Sequence, residues 1–228
     1  MKRTLTIHTP HGLLHGQVDL PEAPKGLILL ARTQHTPVDA IITASFAARG
    51  YATLSIELLT MHEAQFADAT QNVPRLSQRL LDILDLIAHD GDLQGLPLAI
   101  FACGDASPAA IRAAAQRDRQ VMVVAGQNTG RAITLMDVTI DNQYPACQAF
   151  SLHGAGGHGG IIDRAGLQGL KLLVAPLCML FDSSDQIGQA AYLRAASYLN
   201  CSHETNVLNP GEDPILRVVA WFSLHFRR

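Results

Sequence analysis

A cysteine at the end of an apolar run is the first side chain in this sequence that could carry out covalent chemistry. Cys103 follows "LAIFA" and precedes "GDASPAAI". An apolar run, a small turn and a helix-forming stretch predict a buried strand that leads into a helix. A thiol at a helix N-terminus or beside a histidine has a lowered pKa and can act as a nucleophile. His153 and His158 follow a later predicted strand, so either could supply the imidazole.

The same stretch also has a purely structural interpretation. Cysteine is often a small buried residue at the end of a strand, with no reactive role. Ser107 and Pro108 are typical of an N-cap and a first helical residue, so the Ser107 hydroxyl is predicted to cap the helix rather than to react. Both interpretations of Cys103 stay open from the sequence alone.

The composition favours one globular α/β domain over residues 1–228. Its 228 residues are 48% hydrophobic, which is enough to supply a sizeable core. The formal net charge is −3. Lysines and arginines form no basic stripe, so no nucleic-acid partner is expected. The first residues lack the apolar core of a signal peptide, and the apolar run at 172–181 is too short to cross a bilayer. These features predict a cytoplasmic protein that does not bind membranes.

Metal and cofactor sites are not expected. The four cysteines, at positions 103, 147, 178 and 201, form no C-x-x-C pair. The ten histidines are scattered and form no helical pair with ligand spacing. The run at 154–159 does match G-x-G-x-x-G, but no βαβ unit closes around it, so nucleotide binding is the weakest of the function classes.

Strand and helix patterns alternate along most of the chain. Residues 4–8 and 13–20 flank "TPHG", which predicts an N-terminal β-hairpin. The rest predicts a mainly parallel, doubly wound sheet with helices on both faces. Strands are predicted at 26–32, 51–59, 98–102, 121–126, 149–154, 177–181 and 205–209, and helices at 38–49, 74–89, from 107 onward, 189–199 and 215–226.

Ligands of such sheets bind outside the carboxyl ends of the strands. Arg32 and Thr33 follow one predicted strand, and Gly104 and Asp105 follow another. We therefore predict that these four residues line a binding site.

Five stretches together resemble the α/β-hydrolase fold, and most closely its dienelactone-hydrolase-like branch. They occur in the family's order and cover roughly two thirds of the chain. The resemblance implies hydrolysis of esters or lactones by a Ser or Cys in a G-x-S/C-x-G turn. The stretches are "LPEAPKGLILLA", "ARGYATLSIELLT", "LDLIAHDGDLQGLPLAIFA", "GGIIDRAGL" and "APLCMLFDSSDQIG".

Three catalytic elements depart from that family pattern. Counting onward from "LP" at 96–97 without a gap, the nucleophile position falls on Gly104, flanked by Ala102 and Ala106 instead of glycines, whereas a gap of one residue would place Cys103 there. The loop after the strand at 26–32 reads "RTQHTP" and is shortened, which removes the glycine-rich turn that would form an oxyanion hole.

The third departure is the general base, because the last predicted strand leads into "NPGEDP" without a histidine. Glu212 and Asp213 stand there, and carboxylates with an ordinary pKa of about 4 are weak bases for a thiol or hydroxyl. By resemblance, "LFDSSDQIG" places Asp185 at the position of the orienting carboxylate, with Asp182 as an alternative.

Three hypotheses follow. The first is a catalytically degenerate member of the fold that binds a small molecule or a protein partner, with a homodimer as one form of assembly. The second is an ester or lactone hydrolase that uses Cys103 with His158 and Asp185. The third is a nucleotide-binding module. Residues 119–148 are extra relative to the family pattern and are predicted to be an insertion.

Overall fold

The computed structural model describes residues 1–10, 12–34, 36–66, 68–128 and 161–226. Eight strands in these ranges form one sheet, in the order β1-β2-β4-β3-β5-β6-β7-β8. Their bounds are β1 Lys2–Thr9, β2 Gly12–Asp19, β3 Leu27–Arg32, β4 Ala52–Glu57, β5 Leu98–Cys103, β6 Val121–Asn128, β7 Leu177–Asp182 and β8 His203–Leu208.

Strand direction divides the sheet into two parts. β1 and β2 form an antiparallel hairpin, and β2 pairs antiparallel with β4. All pairs from β4 to β8 are parallel. The predicted hairpin and the predicted, mainly parallel sheet are therefore both confirmed.

Six helices in the described ranges cover both faces of the sheet, as predicted. One face packs against α1 and α6, and the other packs against α2, α3, α4 and α5. β3 and β5 are buried along their whole length because they lie between these two layers. The helices are α1 Pro37–Ala47, α2 Val73–His89, α3 Ala106–Gln116, α4 Gly166–Leu172, α5 Gln186–Ala196 and α6 Pro214–His225.

The structure corrects two local predictions. Ser107 does not cap α3: the helix begins at Ala106, and the buried Ser107 hydroxyl donates to the Ala102 carbonyl at 3.2 Å. The sequence pattern predicts no helix between residues 160 and 176, but the structure forms a 3₁₀ turn, Ile161–Ala165, followed by α4 there. Burial of Ile162, Ala165 and Leu170 against the core outweighs the weak helix propensity of its glycines.

The predicted insertion divides into two parts. Val121–Asn128 is an integral strand, paired with β5 on one side and β7 on the other. The rest of the predicted insertion and the predicted strand at 149–154 lie outside the described residues.

None of the helices in the described part of the chain has the length and apolar character needed to cross a membrane.

Candidate functional site

The sharp turn between β5 and α3 is the centre of the candidate site. Gly104 lies between the last residue of the strand, Cys103, and the first residue of the helix, Ala106. Its φ angle of +58° lies in the left-handed region that glycine adopts without steric cost. Its N–H donates to the Gln127 carbonyl at 2.8 Å, which ties the turn to β6. The position predicted for a nucleophile is thus at the apex of a tight strand-to-helix turn and has no side chain.

The neighbouring thiol points into the protein. Cys103 is only 5% exposed and belongs to the apolar cluster on the α1 and α6 face, which includes Phe46 and Phe101. Its sulfur lies 3.9 Å from the Gln127 side-chain oxygen Oε1. A neutral amide oxygen accepts a hydrogen bond from a thiol, but it does not stabilise a thiolate.

A buried ion pair occupies the position after β3. Arg32 is 7% exposed and its Nε contacts Oδ1 of Asp39, which is 1% exposed. Asp39 also accepts hydrogen bonds from the backbone N–H and the hydroxyl of Thr36, each at 3.0 Å, and thereby closes a capping box at the start of α1. The stretch that the resemblance assigns to the oxyanion loop is therefore built around a neutralised guanidinium.

A second ion pair lies beside the turn. Arg164, in the 3₁₀ turn Ile161–Ala165, donates from Nη2 to Oδ1 of Asp105 at 2.6 Å. The two side chains are about one-third exposed, at 34% and 30%. Thr33 is half-buried, and its carbonyl accepts from the Leu59 N–H at 3.2 Å. The predicted binding residues thus lie at the carboxyl edge of neighbouring strands, and the two charged ones, Arg32 and Asp105, are already paired.

The predicted orienting carboxylate acts as a helix cap. Asp185 precedes α5, and its Oδ1 accepts from the Gly188 N–H at 2.9 Å. Asp182, the alternative, is exposed at the end of β7. His153 and His158 lie outside the described residues, so the set of Cys103, His158 and Asp185 stays a prediction.

The two carboxylates after β8 also hold local structure. Glu212 accepts from the Arg217 Nε at 3.0 Å and from the Asn209 N–H at 3.2 Å. The hydrogen bond from Arg217, and then the one from Asn209, lowers the pKa of Glu212. Asp213 caps α6 by accepting from the Ile215 N–H at 2.9 Å. A carboxylate with a lowered pKa is a poorer proton acceptor, so Glu212 is a weak candidate for the missing base.

No family model matches this chain. Two curated relatives from Mycobacterium tuberculosis, strains CDC 1551 / Oshkosh and ATCC 25618 / H37Rv, are named as "putative phosphoribosyl transferase". Each is 27% identical over 116 residues, which are 49% of this chain and 26% of the relative. The matched segment thus spans about a quarter of the relatives' length, and three quarters of each relative lie outside it.

Solved structures match over nearly the whole chain. A dienelactone hydrolase from Anabaena variabilis superposes with a TM-score of 0.77 at 21% identity, covering 100% of this chain and 99% of its own. A cold-adapted esterase from an Arctic intertidal metagenomic library gives a TM-score of 0.67 at 12% identity, covering 99% and 94%. This chain has the α/β-hydrolase fold. At these identities the likeness establishes the fold and leaves the activity open.

The turn after β5 is the part of the α/β-hydrolase fold that carries the nucleophile in active enzymes. In enzymes with this fold, the turn lifts a nucleophile above the sheet, and the N–H of the next residue helps to bind the oxyanion. Here Gly104, with a φ angle of +58°, and Asp105 form the turn between β5 and α3. Within the described residues, no group of three His, Cys, Asp or Glu side chains could hold a metal ion.

Sequence reasoning missed a polar network behind the turn that follows β4. Arg79, on α2, is 1% exposed and donates to both carboxylate oxygens of Glu63 at 2.7 and 2.9 Å and to the Leu58 carbonyl at 2.6 Å. Burial raises the pKa of Glu63, but hydrogen bonds from Arg79 and Thr60 outweigh it and bring the pKa to about 2. The available signal was the position of Arg79 next to Leu80 on the apolar face of α2.

Proposed function

We propose that this chain is a catalytically inactive protein of the α/β-hydrolase fold that acts as a binding module. The observation that carries the proposal is Gly104, which stands at the apex of the strand-to-helix turn with a φ angle of +58°. Covalent catalysis by this fold needs a hydroxyl or thiol at that apex, and glycine has neither.

The residues around the turn support the same conclusion. A hydrolase also needs a base to accept the nucleophile's proton and amide donors that face the oxyanion. Glu212 and Asp213 accept hydrogen bonds from their own loop and helix, and Arg32 is ion-paired to Asp39. Each of these side chains has a structural role in place of a catalytic one.

The competing function is hydrolysis of an ester or lactone by Cys103. The burial of its sulfur in the α1 and α6 face argues against it, since an ester carbonyl would have to reach a side chain that is 5% exposed. This function also needs His158 to accept the proton of the Cys103 thiol, and His158 lies outside the described residues.

An assay with p-nitrophenyl acetate separates the two functions. We expect the wild-type protein and the Cys103→Ala variant to release p-nitrophenol at the same background rate. The Cys201→Ala variant, which removes a half-buried thiol elsewhere, is the control. Turnover by the wild type that is lost in Cys103→Ala and retained in Cys201→Ala would refute the inactive assignment.

The ligand or partner of the module is a separate question. The mycobacterial relatives suggest an association with phosphoribosyl transfer, as a protein partner or through a phosphate-bearing ligand. The described carboxyl edge offers little to a phosphate, because Arg32, Arg79 and Arg164 are each paired with a carboxylate. We therefore do not favour a phosphate-bearing ligand. Stabilisation in a thermal-shift experiment by nucleotides or by 5-phosphoribosyl diphosphate would argue for the ligand form instead.

A further inference from the structure

A crevice of about 330 Å³ opens beside β2 and the turn that follows β4. One wall is formed by β2 and the end of β4, and the other by residues 59–62. Three of its side chains are apolar and four can form hydrogen bonds. The lining residues are Leu13, His15, Glu57, Leu59, Thr60, Met61 and His62.

The wall formed by the turn is fixed in place before any ligand arrives. The Leu58 and Leu59 N–H groups donate to the carbonyls of Arg32 and Thr33 at 2.8 and 3.2 Å. Thr60 donates to Glu63 through its N–H and its hydroxyl, each at 2.9 Å. Since the Glu63 carboxylate is itself held by a buried guanidinium, the crevice has the preorganised wall that reduces the entropic cost of binding.

Glu57 provides a negative charge that is not compensated within the crevice. It is the last residue of β4 and is half-buried, and its carboxylate forms no side-chain hydrogen bond or ion pair with any residue in the described ranges. Its register partner on β3 is Arg32, whose guanidinium contacts the buried Asp39. The nearest strand neighbour with a positive charge is thus committed to another carboxylate.

We propose that this crevice binds a compact organic cation, namely an ammonium or amidinium group on an apolar body. Glu57 accepts the charged N–H groups, because a charge-assisted hydrogen bond is stronger than a neutral one. Leu13, Leu59 and Met61 contact the apolar body. The proposal rests on the proposed function, since it names a ligand class for the binding module.

Calorimetric titration at pH 8 with phenethylamine and with its neutral counterpart 2-phenylethanol tests the proposal. We expect phenethylamine to bind the wild type. The affinity of the wild type for 2-phenylethanol, and the affinity of the Glu57→Gln variant for phenethylamine, should each be lower by about tenfold or more. The Glu22→Gln variant removes an exposed carboxylate elsewhere and is expected to bind like the wild type.

A second variant protects the test against misfolding of Glu57→Gln. Met61 is 88% exposed, so Met61→Lys leaves the core untouched, and its ammonium is expected to weaken phenethylamine binding. Absence of binding at millimolar phenethylamine, equal binding of 2-phenylethanol, or unchanged affinity in both variants would overturn the proposal. The p-nitrophenyl acetate assay tests the inactive assignment independently of these titrations. Failure of the cation site and failure of the proposed function can therefore be distinguished.

Discussion

Two turns at the carboxyl edge of the sheet are built in opposite ways. The turn after β5 places Gly104 at its apex and is held there by a backbone hydrogen bond to Gln127. The turn after β4 is held by side chains, with Arg79 donating to the Glu63 carboxylate and to the Leu58 carbonyl. The β5 turn is thus held by its backbone, whereas the turn after β4 is held by charged side chains.

The physical reason lies in what each side chain contributes to folding. Gly104 has no side chain, and the β5 turn is held through its backbone N–H. Arg79 is almost completely buried, and removing one partner of a buried ion pair leaves the other partner's charge uncompensated. Substitutions in the two turns should therefore differ strongly in their effect on stability.

The largest effect is expected for Arg79→Met. This variant leaves Glu63 without its buried partner, and we expect the free energy of unfolding to fall by about 3–5 kcal/mol. Urea denaturation monitored by circular dichroism measures the change. Arg75→Met is the matched control, because Arg75 binds the same carboxylate at 3.0 Å but its side chain is 37% exposed. Its loss should stay below about 1 kcal/mol, and equal losses in the two variants would refute the assigned role of Arg79.

Low pH should reduce the free energy of unfolding through the turn that follows β4. The pKa of Glu63 is lowered from 4.5 to about 2 in the folded protein, so its contribution to stability is complete above pH 4.5. That contribution, roughly 3 kcal/mol from the size of the shift, is lost as the pH falls from 4.5 towards 2. Urea denaturation across this range should show a weaker pH dependence for Glu63→Gln than for the wild type. Identical pH dependence in the two proteins would contradict the assignment.

A smaller effect is expected at the β5 turn. Gly104→Ala places a Cβ at a φ of +58°, and we expect a loss of roughly 1–2 kcal/mol. Gly91→Ala is the control, because a Cβ there meets no atom within 4 Å and the residue does not adopt a positive φ. Equal stability of the two variants in urea denaturation would show that the turn at Gly104 is not strained.

The smallest effect is expected for Asp185→Ala, which removes the cap of α5. Loss of an N-cap costs about 1 kcal/mol. Asp182→Ala removes an exposed carboxylate nearby and should change the free energy of unfolding by less than about 0.5 kcal/mol. A loss of esterase activity in Asp185→Ala, with stability unchanged, would instead favour the orienting role that the resemblance implies.

The fold was predictable from the sequence because its signals are local and repeated. The apolar run of β3 predicts a buried strand. The apolar stripe on α2, formed by Leu76, Leu80 and Ile83, predicts a helix packed on the core. A turn between β5 and α3 was also predictable, because an apolar run precedes it and a helix-forming stretch follows it. These parts needed no knowledge of contacts between distant residues.

The ion pairs of Arg164 and Arg79 could not be predicted, because each joins residues far apart in the chain. Arg164 meets Asp105 across 59 positions, and Arg79 meets Glu63 across 16. Composition and periodicity identify an arginine on an apolar helix face, but not the carboxylate that it contacts. Ser107 was assigned wrongly because its hydroxyl donates to the Ala102 carbonyl of the preceding strand and does not accept from an N–H of its own helix.

Intact-protein mass spectrometry after incubation with p-nitrophenyl acetate tests the central claim most directly. A hydrolase of this fold passes through an acyl-enzyme, so a working nucleophile would acquire an acetyl group. We predict that the protein remains unmodified after brief incubation, with Gly104 at the apex unable to attack. A stoichiometric acetyl adduct that peptide mapping places on Cys103 would contradict the account.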